Sequence, residues 1–254
     1  MASNSPEAPQ RRGGAPTVAL PGATTAGLLR VRVWDLPLRL FHWLLVVCLV
    51  GSFVTGKVGG SWADWHFRFG YTALSLIVFR LLWGLFGPRY ARFTSFVFSP
   101  SATVAYLRDA AHAPRTLGHS PLGALSVLAL IAAVGIQAGA GLFTSDDIAS
   151  EGPLARLVSN AFVERASWLH NLNEVVILGL VSLHLAAILY YRVFRRESLV
   201  KPMVVGDKLV APDALHPEAA DLASRDDPAV RLRALLVALI AIAIVAAIVN
   251  WPLF

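Results

Sequence analysis

Four histidines lie in or at the edge of long apolar runs in this 254-residue sequence: His42, His66, His170 and His184. Two of them share one run, Trp168 to Tyr191, and are fourteen residues apart. On an α-helix that spacing falls about 40° short of four whole turns, so both imidazoles leave one face, roughly 21 Å apart along the axis. An ionisable side chain inside a membrane span is costly and by default marks function. His42 and His184 fall at one depth of the apolar runs, and His66 and His170 at the other. Two matched pairs that share one helix suit two flat haems stacked across a bilayer, each held by axial imidazoles from facing helices. From the pattern alone, a proton or ion pathway and plain structural hydrogen bonding stay open as alternatives. Two imidazoles per level, without a carboxylate, do not complete a tetrahedral zinc site.

The composition says what kind of scaffold must position these groups. The chain is 56% hydrophobic and only 15% charged, with a mean hydropathy of +0.60. Soluble domains are less apolar and richer in charge, so this is an integral membrane protein. The net charge of +6 fits basic residues gathered on cytoplasmic loops, and does not call for nucleic acid. The single cysteine, Cys48, rules out an intramolecular disulfide, a cysteine-ligated iron–sulfur cluster and CxxCH haem attachment. It reads as a small packed hydrophobe.

Five apolar runs are each near the ~20 residues that a helix needs to cross a bilayer. They are Leu36–Thr55, Phe67–Phe86, Leu122–Phe143, Leu172–Tyr191 and Ala234–Trp251. The expected organisation is all-α: a disordered cytoplasmic tail over 1–29, a four-helix core over 30–200, a polar cytoplasmic linker over 201–233, and a fifth transmembrane helix over 234–254. The prolines of the linker (Pro202, Pro212, Pro217 and Pro228) suggest irregular structure. A short surface helix is expected over Pro153–Ala166. Arginine and lysine crowd the N-terminal flank, the second-to-third loop and the fourth-to-fifth loop. The positive-inside rule then puts the N-terminus in the cytoplasm and the C-terminus outside. Trp34, Trp62, Trp65, Trp83, Trp168 and Trp251 read as interfacial belts. There is no internal repeat, glycine-rich phosphate loop or HExxH motif.

Several further residues are candidates around the imidazoles. Arg39 and Arg68 lie near opposite surfaces and could pair with haem propionates or snorkel to the interface; Arg80, deeper in the second run, is a candidate of the same kind. Glu174, one turn after His170, could hydrogen-bond a ligand imidazole or accept a proton from a quinol; Asn173 is a weaker candidate. Gly51, Gly70, Gly84, Gly135, Gly139, Gly141 and Gly179 notch the runs, either for a porphyrin or for close helix packing. His112, His119 and His216 read as solvated loop residues.

The stretches VRVWDLPLRLFHW (31–43), WHFRFGY (65–71) and FRLLWGLFGPRYARF (79–93), with the His170/His184 helix, resemble the bacterial cytochrome b561 family. That family includes the cytochrome b subunits of nickel–iron hydrogenases. The resemblance covers about residues 30–200. It implies a four-helix core holding two b haems, often with extra helices. His42 and His184 would ligate the cytoplasmic-side haem, and His66 and His170 the outer one. It further implies a bacterial inner-membrane protein that moves electrons between the quinone pool and a partner: a hydrogenase, another dehydrogenase or a periplasmic cytochrome c. Competing readings are a non-catalytic haem-containing membrane anchor, and a proton-coupled transporter with a histidine relay. Five spans without symmetry do not suggest the inverted repeats of transporters.

Overall fold

The computed structural model describes residues 29–108, 116–146, 150–210 and 223–251. Its seven α-helices in these residues are α1 Leu36–Val58, α2 Ala63–Phe86, α3 Pro100–Arg108, α4 Pro121–Gly141, α5 Asn160–Val193, α6 Val200–Val205 and α7 Pro228–Asn250. Two short strands, β1 Leu29–Arg32 and β2 Asp207–Val210, pair antiparallel, with Leu29 opposite Val210 and Arg32 opposite Asp207. Five of the helical segments (α1, α2 with its lead-in turn, α4, α5 and α7) are long and apolar enough to cross a membrane. The fold is thus the all-α membrane architecture expected, with one two-stranded sheet added.

Local signals set the helix ends. Asp35 caps α1 by accepting a hydrogen bond from the Leu38 amide at 2.9 Å, with Pro37 in the first turn. Ser120 caps α4 and Asp227 caps α7 in the same way, each followed by proline. Gly87 and Pro88 close α2, as no helix continues comfortably into a proline. At 34 residues α5 is about 51 Å long, well beyond the ~30 Å of hydrocarbon. Its first turns run beside Phe143 and Ser145, just past the end of α4. The short surface helix expected over 153–166 does not stand alone. Ala155–Leu157 is a 3-10 turn, and α5 itself starts at Asn160. No proline or glycine separates that amphipathic stretch from the span, so the helix runs through.

Helix α2 is the hub. It packs against α1, α4 and α7, while α5 packs along α4. One core, at the end that carries the sheet, joins Trp34, Phe41, Phe79 and Trp83 to Val230, Val237 and Ala241 of α7. A second, midway along, joins Ile77, Ala133, Val134 and Ile177, with Leu45, Leu49, Leu180 and Val181 against it. Cys48 is buried.

The sheet end departs from expectation. The linker expected over 201–233 supplies α6, β2 and the first turn of α7; its residues 211–222 lie outside the described ones. Arg32 reaches Asp207 at 2.6 Å and Asp226 at 2.9 Å, and the Ser224 amide donates to the Arg32 carbonyl. Polarity alone hid this order, because charged strands pair as readily as apolar ones when ion partners face each other. Leu29 likewise belongs to β1, and the rest of the expected tail lies outside the described residues. Two expected belt tryptophans are core residues. Trp83 is fully buried and donates from Nε1 to Asp35 Oδ1 at 3.1 Å, and Trp34 packs on Tyr90 and His119. Trp62, Trp65, Trp168 and Trp251 are exposed.

Candidate functional site

Away from the sheet, α2 and α5 bring His66 and His170 together, one ring edge-on to the other. Their ring centroids are 6.1 Å apart, with planes at 73°. Each imidazole is held from behind by a backbone carbonyl: His66 Nδ1 lies 2.8 Å from the Ser52 oxygen, and His170 Nδ1 2.9 Å from the Gln137 oxygen. A carbonyl only accepts, so each Nδ1 carries the proton and each Nε2 keeps a free lone pair. A glycine stands one turn beyond each acceptor. A Cβ on Gly56 would fall 2.9 Å from His66 Nδ1, and one on Gly141 3.1 Å from His170 Cε1. Without those methyl groups the rings can reach the helix backbone.

At this spacing the Nε2 atoms of His66 and His170 could hold a haem iron between them. Two metal–nitrogen bonds of about 2 Å, plus about 1 Å from each nitrogen to its ring centre, put the centroids ~6 Å apart. Helix α5 leans on α4 and makes only sparse contact with α1 and α2. Cβ atoms built on Gly70, Gly139 and Gly179 would meet nothing within 4 Å. The other glycines serve packing: Gly51 faces Phe69 and Gly84 faces Phe93.

At the sheet end, His42 of α1 and His184 of α5 lie within electrostatic range of each other. His42 Nδ1 is buried with no hydrogen-bond partner among the described residues, and its ring stands edge-on to Trp43. The midway core, with Leu45, Leu49, Leu180 and Val181 beside it, lies between the two histidine levels. Among the described residues no three His, Cys, Asp or Glu side chains cluster as a metal site.

The other candidate residues take varied places. Arg39 donates to the Val204 carbonyl at 2.5 Å and lies 3.8 Å from Asp226, so it fastens α1 to α6 and the start of α7. Arg68 is exposed, its guanidinium 5.1 Å from the Trp65 ring centre. Glu174 pairs with Lys57 at 2.7 Å, bridging α5 to the end of α1 beside Gly56. Asn173 is buried and donates to the Ala133 carbonyl at 2.8 Å and to Gln137 Oε1 at 2.9 Å, pinning α4. Arg80 neither snorkels nor faces the histidine pairs. It is buried, donates to the Ala91 carbonyl and lies over the Phe93 and Phe96 rings, anchoring the loop after α2.

His119 is also not a solvated loop residue. It lies between Trp34 and Phe96, with ring centroids 4.7 and 4.5 Å away. Burial, reinforced by the Arg80 charge, pushes its pKa down to about 3. Nearby Asp35 is buried, and its carboxyl is pushed up by that burial against the hydrogen bonds from Leu38 and Trp83. His112 and His216 lie outside the described residues. The backbone acceptors Ser52 and Gln137 and the salt-bridge partner Lys57 went unnoticed in the sequence. The only hint was a glycine at Gly56 and Gly141, each near the end of its helix.

Residues 33–206 match the model of the prokaryotic cytochrome b561 family. The chain belongs to that family. It is therefore a multi-pass membrane cytochrome that binds haem b and transfers electrons in association with a redox partner. No curated protein and no solved structure matches the chain. The stretch shared with cytochromes b561 takes in α1 to α6 and all four span histidines, whereas α7 lies beyond it.

Proposed function

We propose that this cytochrome b561 carries two b haems in bis-histidine coordination, one between His42 and His184 and one between His66 and His170. It relays electrons across the membrane between the quinone pool and a redox partner, either a hydrogenase, another dehydrogenase or a periplasmic cytochrome c. The observation that carries this reading is the facing His66–His170 pair, 6.1 Å between ring centres, with both Nδ1 atoms engaged on carbonyls. A bound haem supplies reversible one-electron exchange at its iron.

The chain's own groups do the rest. The carbonyls of Ser52 and Gln137 fix each ring's tautomer and direction. The apolar layer around Ile77, Val134 and Ile177 keeps water out between the two levels. At the far end, the Glu174 carboxylate accepts a proton from a quinol, with Lys57 beside it as the balancing charge. The positive-inside rule supports a cytoplasmic, arginine-rich sheet end, with the N-terminus inside and the C-terminus in the periplasm of a bacterial inner membrane. Arg39 and Arg68 serve as partners for propionates, Arg68 from its exposed place beside Trp65 and Arg39 by sharing the charge it also gives Asp226.

The test is His184→Ala. The pyridine haemochrome assay should find one haem per chain in place of two. Two haems in that variant would refute the pairing. Reduction of the purified haems by a quinol analogue separates a quinone-linked relay from a passive anchor.

A further inference from the structure

The two histidine couples are supported differently. In the couple away from the sheet both rings donate from Nδ1 to a helix carbonyl, at 2.8 and 2.9 Å. The two supports are built alike. The acceptor sits at one position, Ser52 or Gln137, and a glycine follows four residues later, Gly56 or Gly141, on the same helical face. The missing Cβ is what lets the ring approach, since a methyl group there would crowd it to 2.9 or 3.1 Å. On the α4 side a buried clamp secures the acceptor, because Asn173 holds both the Ala133 carbonyl and the Gln137 side chain. In the other couple, His42 Nδ1 is buried and meets no acceptor among the described residues.

We infer that the Ser52–Gly56 and Gln137–Gly141 turns, with Asn173, are positioning elements that make His66 and His170 the more electron-rich couple and so give their haem the lower reduction potential of the two. The inference rests on the two-haem reading above. An Nδ1–H···O=C bond moves electron density into the imidazole and makes Nε2 a stronger donor. Stronger donation favours the ferric iron over the ferrous one, and hydrogen bonding around the ligands is one of the levers that set the potential. A ring without that bond donates less. The asymmetry therefore orders the two sites energetically, with the electron resting more readily at His42–His184.

The experiment is a spectroelectrochemical titration of the full chain, purified with its haems. His184→Ala leaves the His66–His170 haem, and His66→Ala leaves the other. The midpoint retained in His184→Ala should be the lower. Gly141→Ala should then raise the lower midpoint of the otherwise unaltered protein by about tenfold in the redox equilibrium, ~59 mV for one electron, and should leave the upper one in place. Asn173→Leu reports the same shift through the clamp if Gly141→Ala does not retain its haem. The reverse order of midpoints, or a shift shared equally by both haems, or no shift in either variant, would overturn the inference. A single haem in the unaltered protein would instead overturn the two-haem reading, and this inference with it.

Discussion

Lowering the pH should loosen this protein through one residue, His119. Its ring is closed in by Trp34 and Phe96 next to the buried Arg80, and it titrates at about 3 in the folded chain against an ordinary value of 6.5. The sign follows from which state binds the proton. Between those two values the unfolded chain takes up a proton that the folded chain refuses, so acid favours unfolding. The contribution is fully present above about pH 6.5 and is lost as the pH falls toward 3. By about pH 4.5 the difference amounts to on the order of 3 kcal/mol, or roughly 5–10 °C in melting temperature for a chain of this size. The perturbation is His119→Phe, which keeps an aromatic ring in the box and removes the titration. Thermal melts of detergent-solubilised protein across a pH series provide the assay. The two proteins should melt with a gap that widens toward acid in favour of the variant. Parallel curves for the two proteins would refute the reasoning, because every other titrating group is common to both.

Arg80→Ala should cost about 3 kcal/mol, from a lost charged hydrogen bond to Ala91 and two ring contacts; protease cutting within residues 89–96 would report the freed loop. Asp35→Ala removes the cap of α1 and strands the buried Trp83 N–H, for about 2–4 kcal/mol in a denaturation midpoint. Glu174→Gln should slow haem reduction by a quinol analogue while leaving haem content unchanged, and unaltered rates would leave the Lys57 bridge a purely structural role. The 73° between the His66 and His170 planes predicts a strongly anisotropic low-spin ferric resonance, and that resonance should vanish in His66→Ala and persist in His184→Ala.

The spans were legible in the sequence because hydrophobic length is a local property. Each of the five runs reappears as a helix; α1 starts at the expected Leu36, α4 one residue early behind its Ser120 cap, and α5 already at Asn160, well before the expected Leu172. The meeting of His66 with His170 was legible too, since depth along a span follows from counting. What supports the rings was not legible. Ser52 and Gln137 act through main-chain oxygens, and a carbonyl has no letter in the sequence. In the sequence Gly141 is one notch among several, and nothing local marks which notch faces a ring. The sheet end misled for another reason. Its order rests on Arg32, Asp207 and Asp226, which are distant in the chain and individually look like solvated charges. Trp83 and His119 misled in the same way, each reading as surface, and Arg80 reads as a propionate partner or snorkelling side chain until the loop after α2 folds over it.

Strand β1 finds its partner only at Asp207–Val210 and its second acidic contact only at Asp226. The clasp on β1 thus joins segments separated by four of the five spans, and it can close only after α5 has been made. The amides of Val33 and Trp34, both buried residues, donate to the Gly206 carbonyl and find that acceptor only when the same segment arrives. A cut before Asp207 would take both acidic partners from Arg32 at once.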